Sequence, residues 1–349
     1  MRTSLLVWAL AGAVVAAAVA APLYLAAAIR RRARREARAR AHDLAYVIGA
    51  FLRREAPRAV LRRAVAGVDA DTVWRTLDAI APRARGRRAL GAALDRWPGL
   101  SEERHALRGD DTPRRAVAAH RLGLLASRRA RKALRRALKH APEPVAAAAA
   151  LALARAGDAW ALRQVLDRPQ RLAHRSPRAR FALLRAFGPR ALPAIHDALE
   201  RDAVDPQLAR AALETLGAAG YTPATASIER RLHDPEPELR VAAARALGRL
   251  GAGAHVISLR RALQDPHWPV RAQAARALGR LRAAHCEDAL ADCLSDPAWW
   301  VRRHAAYALA ELGEPGWRAL QEIARVSPDP YARDMAAEVI EGGWRRDSA

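Results

Sequence analysis

The stretch Asp265–Leu278, DPHWPVRAQAARAL, is followed 31 residues on by Asp296–Leu309, DPAWWVRRHAAYAL, and preceded at the same distance by Asp234–Leu247, DPEPELRVAAARAL. Each copy carries Asp-Pro, an arginine six residues after the Asp (Arg240, Arg271, Arg302) and a leucine seven after that (Leu247, Leu278, Leu309). A period of about 20 to 50 residues marks stacked repeats. Followed outward, the leucine column runs through Leu122, Leu153, Phe187, Leu216 and Ile340 at intervals of 29 to 34 residues, so about eight units span roughly 111–344.

Local rules predict two helices per unit. Ile228 and Leu232, Leu259 and Leu263, and Leu290 and Leu294 are i, i+4 pairs on a short first helix that stops at the Asp-Pro step. Beyond it Leu239, Ala243, Leu247 and Leu250 recur at helical spacing, as do Val270, Ala274, Leu278, Leu281 and Val301, Ala305, Leu309, Leu312. Pro237 and Pro269 stand where the second helix begins, a position at which a missing N–H costs little. Gly251 and Gly313 close two of the copies.

The pattern D-P-x(4)-R-x(2)-A-A-x-A-L, read as Asp265-Pro266, Arg271, Ala274-Ala275 and Ala277-Leu278, resembles the HEAT-repeat family, more closely its short bacterial form, the phycobilisome-lyase HEAT-like repeats. The resemblance implies an all-α fold, an α-solenoid of about eight helical hairpins. It also implies a ladder of Asp–Arg ion pairs between neighbouring repeats, here Asp234, Arg240, Asp265, Arg271, Asp296 and Arg302, and a protein that binds other proteins. Outside the three central copies the pattern loosens. Asp205 to Arg210 is one residue short, Asp329 to Arg333 two short, and Ala146 stands where an earlier copy should have its arginine. Irregular and terminal units are expected in a stack that must be capped.

Towards the start, Ser4–Ile29 is an uncharged stretch rich in Ala, Val and Leu, followed by Arg30, Arg31, Arg32, Arg34, Arg35, Arg38 and Arg40 against only Arg2 before it. About 20 apolar residues span a bilayer, and flanking arginines stay on the cytoplasmic side. The expectation is one transmembrane helix with its N-terminus outside, in the inner membrane, and the solenoid in the cytoplasm. On this reading the chain divides into the span (4–29), an Arg-rich juxtamembrane segment (30–42), an irregular basic helical region holding a degenerate repeat (43–110), the repeats (111–344) and a tail (345–349).

The formal charge of +24 is uneven: residues 30–140 hold 30 Arg and Lys against 11 acids, whereas residues 141–349 hold 29 against 25. Basic clusters beside a span attract anionic lipid headgroups, and the seven arginines from Arg30 to Arg40 are expected to lie on such a surface. Nucleic-acid phosphate is the sharper alternative, set second to lipid. Cys286 and Cys293 are seven residues apart, about 10.5 Å along a helix axis, beyond disulfide reach. They read as small packing residues.

No phosphate-binding glycine loop, dinucleotide fingerprint, zinc-protease motif or nucleophile elbow is present. Iron-dependent deoxyhypusine hydroxylases share the repeat fold and carry paired His-Glu steps, but none of the 11 histidines here precedes a Glu. The expectation is therefore a scaffold without catalytic residues, metal or cofactor, tethered to the membrane and placed in an envelope-assembly complex. An enzyme or enzyme subunit of the lyase or hydroxylase type is the alternative. At 100° per residue, the side of the second helix opposite its leucines carries the columns Val241/Ala272/Arg303, Arg245/Arg276/Tyr307 and Gly248/Gly279/Ala310. The resemblance, in which second helices form the inner wall, implies that this side lines a concave, basic groove with Arg245, Arg276, Arg303 and Tyr307 on its wall and a glycine and alanine floor open to a ligand. Trp268 and Trp299 share a column, with Trp300 beside them, and are the candidate aromatic contacts for a partner.

Overall fold

The Asp-Pro step makes each hairpin by local chemistry. The carboxylate of Asp234 accepts the amide of Glu236 at 3.0 Å, Asp265 that of His267 at 2.8 Å, and Asp296 that of Ala298 at 2.8 Å. Each such turn closes off a short first helix, helix A, and launches a longer second one, helix B. A single 3-10 turn, such as Arg231–His233 or Cys293–Ser295, finishes helix A just before the Asp.

The computed structural model describes residues 24, 31, 32, 35, 36, 38–80, 84–172, 174–201, 204–251 and 255–342, and among them there is no strand. The first helices are α1 (residues 38–53), α2 (Arg58–Ala66), α3 (Ala70–Ile80), α4 (Ala84–Ala93) and α5 (Pro98–Ala106). Then come α6 (Thr112–Leu125), α7 (Arg128–His140), α8 (Glu143–Arg155), α9 (Ala159–Asp167) and α10 (Pro177–Ala186). Next are α11 (Leu192–Leu199), α12 (Pro206–Ala218), α13 (Thr225–Arg230), α14 (Pro237–Leu250) and α15 (Val256–Ala262). The series ends with α16 (Trp268–Arg280), α17 (Glu287–Asp292), α18 (Trp299–Glu311), α19 (Glu314–Val326) and α20 (Pro330–Glu341). The chain forms two compact units, Met1–Ala156 and Gly157–Ala349, and the division falls inside the 111–344 stretch that carries the period.

In the first unit α6 packs against α3, α4, α5, α7 and α8. Leu61, Leu77, Leu90, Leu100, Leu122, Leu134 and Leu153 are fully buried between these helices. Glu103 is buried with them and accepts from Arg114 at 2.5 Å and from Arg121 at 2.9 Å, while Arg121 also donates to Asp71 at 2.8 Å. Gly91 of α4 meets the end of α6: an added Cβ would stand 1.6 Å from the Leu125 carbonyl oxygen.

In the second unit the B helices α12, α14, α16, α18 and α20 pack in succession, each with its own A helix behind it. The A-helix pairs Ile228/Leu232, Leu259/Leu263 and Leu290/Leu294 and the B-helix column Leu247, Leu278, Leu309 are all buried. Small residues set how closely the B helices approach. A Cβ at Gly217 would lie 2.7 Å from the Ala246 α-carbon, at Gly248 2.8 Å from that of Ala277, and at Gly279 2.7 Å from that of Ala308. This corrects the expected ligand floor, because the glycines face the next B helix and open to no groove.

Asp–Arg pairs run between these hairpins. Arg240 donates Nε and Nη2 to the two carboxylate oxygens of Asp265 at 2.7 and 2.9 Å, and its Nη1 to the carbonyls of Asp234 and Pro235 at 2.9 and 3.2 Å. Arg271 repeats the arrangement with Asp296 at 2.7 and 2.9 Å and with the carbonyls of Asp265 and Pro266. Burial by itself would push the Asp265 carboxyl up, but the Arg240 guanidinium and the His267 amide outweigh it and hold it below the usual range. A fully buried leucine contributes about 2 kcal/mol, whereas a buried ion pair returns little net energy once desolvation is subtracted. The leucines therefore drive stacking, and the bidentate pairs fix its register.

Arg302 breaks the ladder. Its Nη1 donates to the carbonyls of Asp296 and Pro297 at 2.8 and 3.2 Å and its guanidinium lies 5.0 Å from the Tyr331 ring centre, but its buried Nε has no hydrogen-bond partner. The equivalent of Asp296 in the next unit is Ser327, which has the same backbone angles (φ −59, ψ 134 against −62, 139) and whose carbonyl accepts from Arg333 at 2.7 Å. The register is thus Ser327-to-Arg333, six residues, and Asp329 is instead the N-cap of α20. Ser327→Asp is expected to give Arg302 its missing carboxylate and to stabilise the array by about 1 kcal/mol, a rise of roughly 2–4 °C in Tm. An unchanged or lower Tm would show that Tyr331 has taken over that place.

The membrane placement is corrected. The expected span, Ser4–Ile29, lies outside the described residues except for Tyr24, and no helix among the described residues is long and apolar enough to cross a membrane. A single-pass inner-membrane protein is therefore not supported, and the lipid role given to the arginines falls with the span on which it rested. Arg30 and Arg34 lie outside the described residues; Arg31, Arg32, Arg35, Arg38 and Arg40 are exposed, and Arg32 pairs with Glu36 at 3.0 Å.

Candidate partner-binding face

Helix B of each central hairpin turns a polar stripe away from its A helix. Arg245 on α14 lies half-buried between Glu214 of α12, 3.4 Å away, and Gln273 of α16, 3.5 Å away. Burial pushes its pKa down, and the positive charges of Arg249, Arg210 and Arg276 push the same way while Glu214 opposes them. Arg280 is lowered too, first by burial and then by Arg276 and Arg249. Arg245, Arg249, Arg276 and Arg280 thus form one patch on α14 and α16 whose members repel one another.

The patch continues onto α18. His304 is held below its ordinary pKa by burial and then by Arg276 and Arg303. Arg303 is stacked between aromatic rings, 5.2 Å from the centre of Trp299 and 5.1 Å from that of Tyr307, and reaches Glu338 at 3.5 Å. Trp299 meets Trp300 edge-on at 4.7 Å, and Trp300 lies 6.2 Å from the His304 ring. Despite these contacts Trp299 and Trp300 remain 41% and 50% exposed, and Trp268, the column-mate of Trp299 on α16, is 45% exposed. Large aromatic rings held in fixed contact yet open to solvent are the usual anchors of protein interfaces.

Family comparison gives the array its type. A model of HEAT repeats matches three overlapping segments, residues 192–266, 225–291 and 256–341. Residues 192–341 are thus similar to HEAT repeats. No characterised protein sequence matches the chain. Among solved structures it is similar to an engineered protein (19% identity, 86% of this chain and 93% of that one, TM-score 0.38). It is also similar to the complex of CpcE and CpcF of phycocyanin lyase from Nostoc (23%, 70% and 94%, TM-score 0.33) and to human deoxyhypusine hydroxylase in complex with glycerol (20%, 78% and 97%, TM-score 0.33).

The observed face differs in part from the one drawn from helical angles. Val241 and Ala272 are buried, as are Gly248, Gly279 and Ala310, so only Arg303 of the first column and Arg245, Arg276 and Tyr307 of the second reach solvent. Arg249, Arg280 and Glu311 were not among the expected residues, although the same 31-residue period relates them and would have picked them out. Burial pushes the Glu311 carboxyl up, against the pull of Arg280, Arg276 and Arg282. Cys286 and Cys293 are free and buried, and burial pushes the Cys293 thiol up to about 12, so it stays protonated. Among the described residues no three His, Cys, Asp or Glu side chains come together as a metal site.

Proposed function

We propose that the HEAT-repeat array is a protein-binding scaffold that takes an acidic, amphipathic helical segment of another protein along the exposed stripe of α14, α16 and α18. The observation that carries this reading is the mutually repelling arginine patch of Arg245, Arg249, Arg276 and Arg280, continuous with the Trp299–Arg303–Tyr307 stack. Carboxylates of a partner relieve that repulsion, and its apolar stripe covers Trp268, Trp299 and Trp300. Charge complementarity of this kind sets orientation and association rate, and a helix laid in a groove is a recurrent mode of recognition. On this reading the chain acts by holding its partner, with no chemistry of its own.

The test compares the wild type with a variant carrying Arg245→Glu, Arg276→Glu and Arg303→Glu, and with Trp300→Ala. Affinity capture and titration of a labelled helical peptide with a glutamate stripe are the readouts. The expected result is at least about a tenfold loss of peptide affinity in the triple variant, a smaller loss for Trp300→Ala, and unchanged circular dichroism in both. A folded triple variant that keeps every wild-type partner and the peptide removes this face from consideration.

A further inference from the structure

A second charged feature stands in the first unit, apart from the HEAT-repeat array. Helix α7, RRARKALRRALKH, buries Ala130, Leu134, Ala137 and Leu138 along one side and has no acid anywhere in its length. Arg129, Lys132 and Arg136, at i, i+3 and i+7, form a single stripe that turns towards the end of α5. There Arg104 and Arg108, four residues apart, stand opposite them with His105, and the space between is a cavity of about 420 Å³. Two packed helices thus present opposed cationic walls.

The charge of this cleft is poorly met from within. Arg104 donates to the Ser101 hydroxyl at 3.2 Å and Arg129 reaches Asp95 at 3.4 Å. Arg108, Lys132 and Arg136 are exposed and form no ion pair among the described residues. No carboxylate and no Phe, Tyr or Trp ring lines the cavity. Like charges gathered in a concave site focus the field and raise the local concentration of anions, and guanidinium groups bind phosphate oxygens through paired, directional hydrogen bonds. The lining carries five cationic side chains and no Phe, Tyr or Trp, so phosphate charge is the feature of a ligand that the cleft matches best.

We propose that the α5–α7 cleft binds a short polyphosphate chain, whether free or as the tail of a nucleotide. Arg104 and Arg108 hold it from one side and Arg129, Lys132 and Arg136 from the other. Its size suits this ligand, within the range of about 300–1,000 Å³ usual for small-molecule sites. The HEAT-repeat face binds protein carboxylates whether or not this site is occupied, so the two readings stand or fall separately.

Isothermal titration of the full chain with inorganic tripolyphosphate, ATP and orthophosphate tests the proposal. Tripolyphosphate is expected to bind one per chain, more tightly than orthophosphate by at least tenfold, and to weaken as salt is raised. Lys132→Glu with Arg136→Glu should reduce that affinity at least tenfold, as should the milder Arg108→Gln, with the fold verified by circular dichroism. Arg325→Glu, exposed in the other unit and part of neither binding face, should leave it unchanged. ATP equal to tripolyphosphate identifies a tail-reading site that accepts either source, and ATP weaker than tripolyphosphate points to the free chain. The proposal is overturned if tripolyphosphate gives no saturable binding or if the α7 variants bind it as the wild type does. It is equally overturned if a single-stranded RNA or anionic vesicles bind through α7 and tripolyphosphate fails to displace them.

Discussion

Arg271→Ala is expected to lower the stability of the repeat array by about 3 kcal/mol, roughly 6–12 °C in Tm for a unit of this size. Lost attraction is the smaller part of that loss. Arg271 and Asp296 are only 15% and 9% exposed in their side chains, so water and salt screen them little, and the variant leaves the Asp296 carboxylate desolvated with only the Ala298 amide to satisfy it. The Asp265 and Pro266 carbonyls lose their donor in the same step. If the orphaned charge is the cause, then adding Asp296→Asn, which keeps an oxygen for the Ala298 amide, should return part of the lost stability. Arg260→Ala, at an exposed site one helix away, is the reference and should move stability by no more than about 0.5 kcal/mol. An Arg271→Ala shift no larger than the reference would mean that the pair decorates the surface and does not set the register of stacking.

The hairpins themselves were legible because their signals are local. Asp-Pro, the i, i+4 leucine pairs and the 31-residue period each act within one unit, and they place the helices of the second unit where the structure has them. What lies opposite a helix was harder to read. A helical projection gives each residue an angle but does not say how many neighbours flank the helix. A B helix in this stack touches its own A helix and the B helix on either side, so its buried arc is wider than the leucine stripe and takes in Val241, Ala244 and Gly248. Five of the nine positions in the three expected columns, Val241, Ala272, Gly248, Gly279 and Ala310, are therefore core, while Arg249 and Arg280, which do reach solvent, were missed. The end of the ladder was misread for a different reason. The letter Asp points to Asp329, whereas the position is defined by backbone angles and by the carbonyl that accepts from the arginine, and Ser327 fulfils both.

Gly248→Val should destabilise the array at least as much as Arg271→Ala. Its side chain would begin 2.8 Å from the α-carbon of Ala277, and because that neighbour is backbone, no rotamer change relieves the contact. Helix α16 must move away from α14 as a body. Overpacking of this kind costs about 1–3 kcal/mol and occasionally more. Here the displacement also pulls Asp265, at the head of α16, away from Arg240 on α14, so the bidentate pair at 2.7 and 2.9 Å weakens in the same movement. Gly248→Ala should be milder, since one methyl group overlaps less and alanine gains about 1 kcal/mol over glycine in a helix. Combining Gly248→Ala with Ala277→Gly moves the methyl group from one side of the crossing to the other. Thermal denaturation of the two singles and the double should then show the pair recovering part of what Gly248→Ala loses, since the contact with the Ala277 β-carbon goes while that with its α-carbon stays, a coupling expected only for residues in contact. Should Gly248→Val melt with the wild type, the B helices would have to be farther apart than the crossing requires, and the glycine column would again be available as the floor of an open groove.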